Sequence, residues 1–257
     1  MRSIDILGVR VDDATYADLL AQVDAYVQSR VPHHIVTLNP EMLVAAHGDP
    51  EFRQILNRAD LNVADGVGLL LAARWLGHPL PERVTGSDGI YRLAAHCAQR
   101  GYRPFFLGAA PGVAEVVAQR LSQAYPALEV AGAFAGSPRI QDEEAVITRV
   151  RAAAPDLLFV AYGVPAEEVW IARNRDRLGV PSMIGVGGAF DYVAGVTRRA
   201  PVWMQRLGLE WLHRLVQEPW RWRRQLGLPR YVALVVYQKL RGVACPACPG
   251  GLSGGAG

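Results

Sequence analysis

Six short apolar runs, each followed by a turn signal and most of them then by a helical pattern, constrain this chain more than any other feature. They are "HHIVTLN", "ADLNVAD", "YRPFFLG", "LEVAGAF", "DLLFVAYG" and "PSMIGVGG". Between them lie "GLLLAARWL", "PGVAEVVAQRLSQAY", "DEEAVITRVRAAA" and "PAEEVWIARNRDRL". In the second of these helical stretches Val113, Val116, Val117, Leu121 and Ala124 share one face. Strands that are apolar along their whole length belong in a parallel sheet covered on both sides. Helix signals agree: Asn39-Pro40-Glu41 supplies an N-cap, a proline at the first helical position and an acid in the first turn. The expected fold is α/β, a doubly wound and mainly parallel sheet, with no internal repeat.

Of the 257 residues, 1–197 are expected to form this α/β domain, 198–241 a basic, tryptophan-rich helical appendage, and 242–257 a disordered tail. The net charge of +3 conceals an asymmetry. From Arg198 to Arg241 ten basic residues face only Glu210 and Glu218, a local +8, so the remainder carries −5. A basic end on an acidic body is suited to an anionic partner. Cys97 falls in an apolar helical pattern and reads as core, whereas Cys245 and Cys248 sit in the Gly/Pro-rich tail without a second ligand pair. The opening "MRSIDILGVRVDD" has no signal-peptide core, and the longest late apolar run, "YVALVVYQKL", is too short to span a bilayer. A cytoplasmic location is expected.

Thr37, Asn39, Asp65, Gly108, Gly163, Gly185, Gly187 and Gly188 all fall at predicted strand ends. In an open parallel sheet those ends share one edge, where ligands bind. "LGAAPG" and "GVGGAF" permit close backbone approach and expose helix N-terminal amides, which suits an anion as readily as an ordinary turn. Neither is a dinucleotide fingerprint, since Phe190 stands where the third glycine belongs. The sequence contains no Walker pattern, HExxH or short Asp-x-Asp, and no GxSxG nucleophile elbow between a strand and a helix. A diphosphate on this rim would therefore be neutralised by arginines such as Arg83 and by helix N-termini. Arg83 on spacing alone also fits a solvated loop, and Asp88 fits a cap for "GIYRLAAHC". Asp65, followed by Gly66 and Gly68, fits either a turn or a general base for a substrate hydroxyl.

Taken together, "TLNPEMLVAA", "NVADGVGLLLAARWLG", "ERVTGSD", "FFLGAAPGVAE", "AYGVPAEEVW", "GVGGAFDYVAG", "RRAPVWMQRLGLEWLHRL" and "EPWRWRR" occur in the order seen in the WecG/TagA/CpsF glycosyltransferases. The chain resembles that family from about Ile4 to Arg224. The resemblance implies a Rossmann-like enzyme moving an N-acetylmannosamine-type sugar from a UDP donor. The implied acceptor is the 4-hydroxyl of N-acetylglucosamine on undecaprenyl diphosphate, at the cytoplasmic face of the membrane. The implied reaction is inverting, metal-independent and free of cofactors, and it feeds teichoic acid or surface polysaccharide synthesis. By the same resemblance Asp65 is the base, Thr37 and Asn39 line the pocket, and Arg83 and Asp191 lie nearby. Gly108, Gly163, Glu167 and Gly187 complete the substrate side. Arg206, Arg214, Arg221 and Arg224 are implied to close over the diphosphate, and homo-oligomers through the catalytic domain are implied as well. "GVPAEE" departs from the family pattern, placing Glu167 where Gln is usual. A carboxylate there needs an arginine or a sugar hydroxyl as partner, and it leaves the donor sugar open.

Displacement at an anomeric carbon needs an activated hydroxyl on one side and a stabilised diphosphate on the other. Asp65 suits the first, and helix N-termini with Arg206, Arg214, Arg221, Arg223 and Arg224 the second. Trp203, Trp211, Trp220 and Trp222 interleave with these arginines as in an interfacial helix on anionic lipid. Two other functions compete: an NAD-dependent oxidoreductase, which lacks its fingerprint, and a nucleotide-sugar-binding sensor. Nucleic-acid binding has no recognition motif here.

Overall fold

The structure is a computed structural model that describes residues 1–206, 208–219, 222 and 227–242. The chain opens with a feature the apolar runs did not announce. Strands β1 (Ser3–Ile6) and β2 (Val9–Asp12) pair as an antiparallel hairpin. Its turn places Leu7 and Gly8 at positive φ. Helix α1 (Tyr16–Ser29) follows, closed at its start by a capping box between Thr15 and Asp18.

Then comes the expected alternation: β3 (His33–Leu38), α2 (Pro40–Gly48), α3 (Pro50–Arg58), β4 (Leu61–Ala64), α4 (Val67–Leu76) and α5 (Gly86–Arg100). Next are β5 (Pro104–Gly108), α6 (Val113–Ala124), β6 (Gly132–Phe134), α7 (Glu143–Ala153), β7 (Leu157–Ala161), α8 (Ala166–Leu178), β8 (Ser182–Gly185) and α9 (Ala189–Val193). Asn39 caps α2 as expected, its side chain accepting from Met42 N. The cap of α5 is a correction: Thr85, not Asp88, is the N-cap, and its hydroxyl accepts from Asp88 N at 3.1 Å. A hydroxyl just outside the first turn reaches that amide better than a carboxylate already inside it.

The sheet has six strands in the order β4-β3-β8-β7-β5-β6, every adjacent pair parallel. Alternate strand residues feed opposite faces. Ile35, Val63, Phe106, Phe159 and Ile184 pack under α1, α5, α6 and α9. Val36 and Leu38 pack instead with the hairpin, α2, α3 and α4, while Leu107, Leu158, Val160 and Met183 meet α7 and α8. Cys97 is buried in the first of these layers, as expected. Because β3 connects outward to β4 while its other neighbour is β8, the chain reverses direction across the sheet at the β3/β8 seam. A crevice opens beyond the carboxyl ends at such a seam.

The segment after Ala200 is helical where described: α10 (Val202–Arg206), α11 (Glu210–Gln217) and α12 (Gly227–Leu240). Helix α12 packs on the α/β body. Tyr231 and Val235 are buried in one layer with Val36, Leu38 and Met42. The Tyr231 hydroxyl donates to Gly68 O at 3.2 Å, and the Gln238 side chain accepts from Leu7 N and donates to Asp5 O. Gly68 also lets α4 approach α2 closely, since a Cβ there would sit 2.9 Å from Pro40 Cγ. Large apolar side chains remain exposed on the same segment: Trp203, Trp211, Val216, Trp222, Val232 and Leu240. No helix among the described residues is long and apolar enough to cross a membrane. The Cys245/Cys248 tail lies outside the described residues.

Candidate active site

Asp65 stands immediately beyond β4, its N–H donating to Leu38 O at 2.6 Å across the β3/β4 seam. Its Oδ2 accepts from Gly86 N at 3.1 Å, at the start of α5. Gly86 is a point of convergence. A Cβ there would lie 3.4 Å from both Thr37 Oγ1 and the Val186 backbone. Thr37 Oγ1 in turn donates to Gly185 O at 3.1 Å. The ends of β3, β4 and β8 and the start of α5 thus meet around one carboxyl group, which is only partly exposed.

This setting controls the acidity of Asp65. Removal from water pushes its pKa up to about 7, and the negative charges of Glu210 and Asp88 act in the same direction. The Gly86 amide and the Arg83 guanidinium oppose the rise without cancelling it. A carboxylate of that basicity can accept a proton near neutral pH. Beneath it, Thr85 is locked by the buried Tyr16 hydroxyl, which accepts from Thr85 N at 2.9 Å.

Arg83 is held by the appendage, donating to Glu210 Oε2 at 3.0 Å and to Gln205 O at 3.3 Å. Arg199 donates to the same Glu210 at 3.3 Å and grips both oxygens of Asp88. Arg214, on α11, lies over the Tyr192 ring at 5.1 Å and places Nη2 3.8 Å from Asp191 Oδ2. A Cβ at Gly188 would run into the Arg214 guanidinium, so a larger residue there would displace that side chain.

Glu167 is nearly inaccessible at 1% exposure, and its carboxylate is occupied. It accepts from Gly163 N at 3.0 Å and from Gly187 N at 3.0 Å. The residue that departs from the family pattern therefore clamps the loops after β7 and β8. Burial and the adjacent Glu168 push its pKa well above the carboxylate range. Behind it Glu168 Oε2 lies 2.5 Å from His34 Nε2, both side chains buried. Burial raises Glu168 to about 8 and lowers His34 to about 3, each shift disfavouring the charged form.

Thr37, Asn39, Asp65, Arg83 and Gly187 thus share the β4/β3/β8 rim, with Glu167 behind it and Asp191 and Arg214 beside it. Gly108 stands apart: four strand spacings separate β5 from β4, about 19 Å. Its φ of +114° and its approach to the Ala161 backbone, which leaves no room for a Cβ, tie it to β5/β7 packing. Gly163, just beyond β7, is joined to the rim through Glu167. Arg221, Arg224 and the Arg206 side chain lie outside the described residues. Sequence reasoning missed Gly86, Arg199 and Glu210. The available signal for Glu210 was its survival as one of two acids in a segment of local charge +8. Among the described residues no group of three His, Cys, Asp or Glu side chains could hold a metal ion.

Comparison with known proteins identifies relatives of the chain over most of its length. A Bacillus spizizenii protein is 35% identical over 211 residues, covering 82% of this chain and 81% of its own length. A Bacillus subtilis protein is 34% identical over 83% of both chains. A Staphylococcus aureus protein is 30% identical over 237 residues, 91% of each. All three are named N-acetylglucosaminyldiphosphoundecaprenol N-acetyl-beta-D-mannosaminyltransferase. The profile of the glycosyl transferase WecG/TagA/CpsF family matches residues 4–244, and the chain belongs to that family of enzymes.

Proposed function

We propose that this protein transfers an N-acetylmannosamine-type sugar from a UDP donor to the 4-hydroxyl of N-acetylglucosamine carried on a polyprenyl diphosphate. The observation that carries the reading is Asp65, a carboxylate raised to about 7 at the sheet's ligand-binding edge and within electrostatic reach of Arg83. Asp65 removes the acceptor hydroxyl's proton as the new glycosidic bond forms and the bond to UDP breaks. Attack from the face opposite the leaving diphosphate inverts the anomeric centre. Arg83, Arg214 and the other appendage arginines offset the charge developing on the diphosphate, a role that requires no metal. Thr37 and Asn39 shape the pocket.

The acceptor class follows from the relatives' shared name, and it suits a surface where tryptophans and arginines are exposed together. The appendage rests on the cytoplasmic face of the membrane and presents the rim to the lipid's head group. Product flows into bacterial surface polysaccharide or teichoic acid synthesis.

The test is UDP release from UDP-N-acetylmannosamine with and without a short-chain prenyl-diphosphate N-acetylglucosamine acceptor. Release that depends on acceptor is the expected result. Release at the same rate without acceptor would make the protein a hydrolase, and binding without release would make it a sensor.

A further inference from the structure

Arg83 sits on the loop between α4 and α5, tied down by Val84 N donating to Ala64 O. A long side chain on a loop samples many rotamers unless something holds its head. Both groups that hold it belong to the appendage: the Gln205 carbonyl and the Glu210 carboxylate. Glu210 is itself oriented by Arg199, which is clamped on Asp88 in the first turn of α5. Asp88 shares Thr85 with the helix cap, and the next residue's amide, that of Gly86, binds Asp65. One chain of charges, Asp88–Arg199–Glu210–Arg83, therefore joins the appendage to the α/β body directly beside the base.

We propose that Glu210 is a positioning residue, latching the appendage onto the body through Arg199 and fixing the Arg83 guanidinium beside Asp65. The two arginines and their acids are 21–37% exposed, which limits their value for stability and favours a role in orientation. An acid retained amid so much positive charge also has a second effect. Together with Asp88 it offsets the positive charge of Arg83 at Asp65, which alone would make the carboxylate a weaker base. The charged groups acting on Asp65 are Arg83, Glu210 and Asp88, and those touching Glu210 are Arg83 and Arg199.

The inference rests on the transferase reading for its kinetic consequence but not for the latch itself, so two readouts are taken on the full chain. The first is trypsin cleavage between residues 200 and 218, with melting of the α/β body followed in parallel. In Glu210→Ala and Arg199→Gln, cleavage there is expected to accelerate about fivefold, the scale of a partly exposed ion pair. The second is the pH dependence of sugar transfer in Glu210→Gln, which keeps an acceptor for Arg83 but loses the charge. Its acid limb is expected to move down by about half a unit, while Glu210→Asp holds the wild-type midpoint. A purely structural role would leave that midpoint in place. Unchanged cleavage in Glu210→Ala would overturn the latch, and an unmoved acid limb in Glu210→Gln would overturn the positioning role. Absence of transfer in the wild-type chain would instead refute the transferase reading, leaving the cleavage result to decide the latch.

Discussion

Asp65→Asn abolishes sugar transfer, by at least about a thousandfold, while leaving UDP binding intact. An amide keeps the shape of the carboxyl group and can still accept from Gly86 N, but it has no basicity to offer a hydroxyl. The same change stabilises the fold. In the native state Asp65 holds its proton up to about pH 7, against an ordinary value of 3.8. As pH rises from 4, the unfolded chain ionises there first and native stability declines until about pH 7, above which the loss is complete. A neutral amide at this position carries no such penalty. A higher melting temperature than wild type is expected at pH 8, the gain of about 1–3 kcal/mol fading toward pH 4. Equal melting of variant and wild type at both pH values would show that Asp65 is not desolvated, and transfer near the wild-type rate would show that it is not the base.

Truncation after Ala200 is expected to remove transfer to a membrane-embedded acceptor and binding to anionic vesicles together. The structure adds a third loss. Tyr231 and Val235 belong to the apolar layer over Val36, Leu38 and Met42, so cutting α12 away uncovers core and costs about 2–5 kcal/mol per large side chain removed. Lost activity in the truncate therefore combines a weakened body with a missing appendage. Trp203→Ser together with Val216→Ser separates the two, because both side chains are exposed and support no core. That pair is expected to weaken vesicle binding about tenfold with melting unchanged. A truncate that binds vesicles and transfers at full rate would refute the role given to the appendage.

Strand and helix order were legible because short, predominantly apolar runs alternating with helical patterns fit strands buried on both faces, and the six parallel strands agree with that. The N-terminal hairpin was not legible. Each of its strands has four residues, too few for a period to emerge, and its turn relies on Leu7 at positive φ, where glycine or asparagine is usual. Asp65, Thr37 and Asn39 could be placed on the rim because each ends a recognisable strand. Gly108 ends one too, yet strand order puts it far from Asp65, and order across a sheet is set by pairings that local patterns do not encode. Glu167 looked like an unpartnered charge because its partners are backbone amides, which every sequence contains and none displays. Arg199 and Glu210 were hidden for a related reason: their partners Asp88 and Arg83 lie more than a hundred residues away.

The most direct test of Asp65 as the base is the pH dependence of the sugar-transfer step in a single turnover, with donor and lipid-linked acceptor both saturating. A rate that climbs tenfold per pH unit below an apparent pKa of about 7, and then levels off, is the expected result. A rate that is flat from pH 5 to 8 would contradict it.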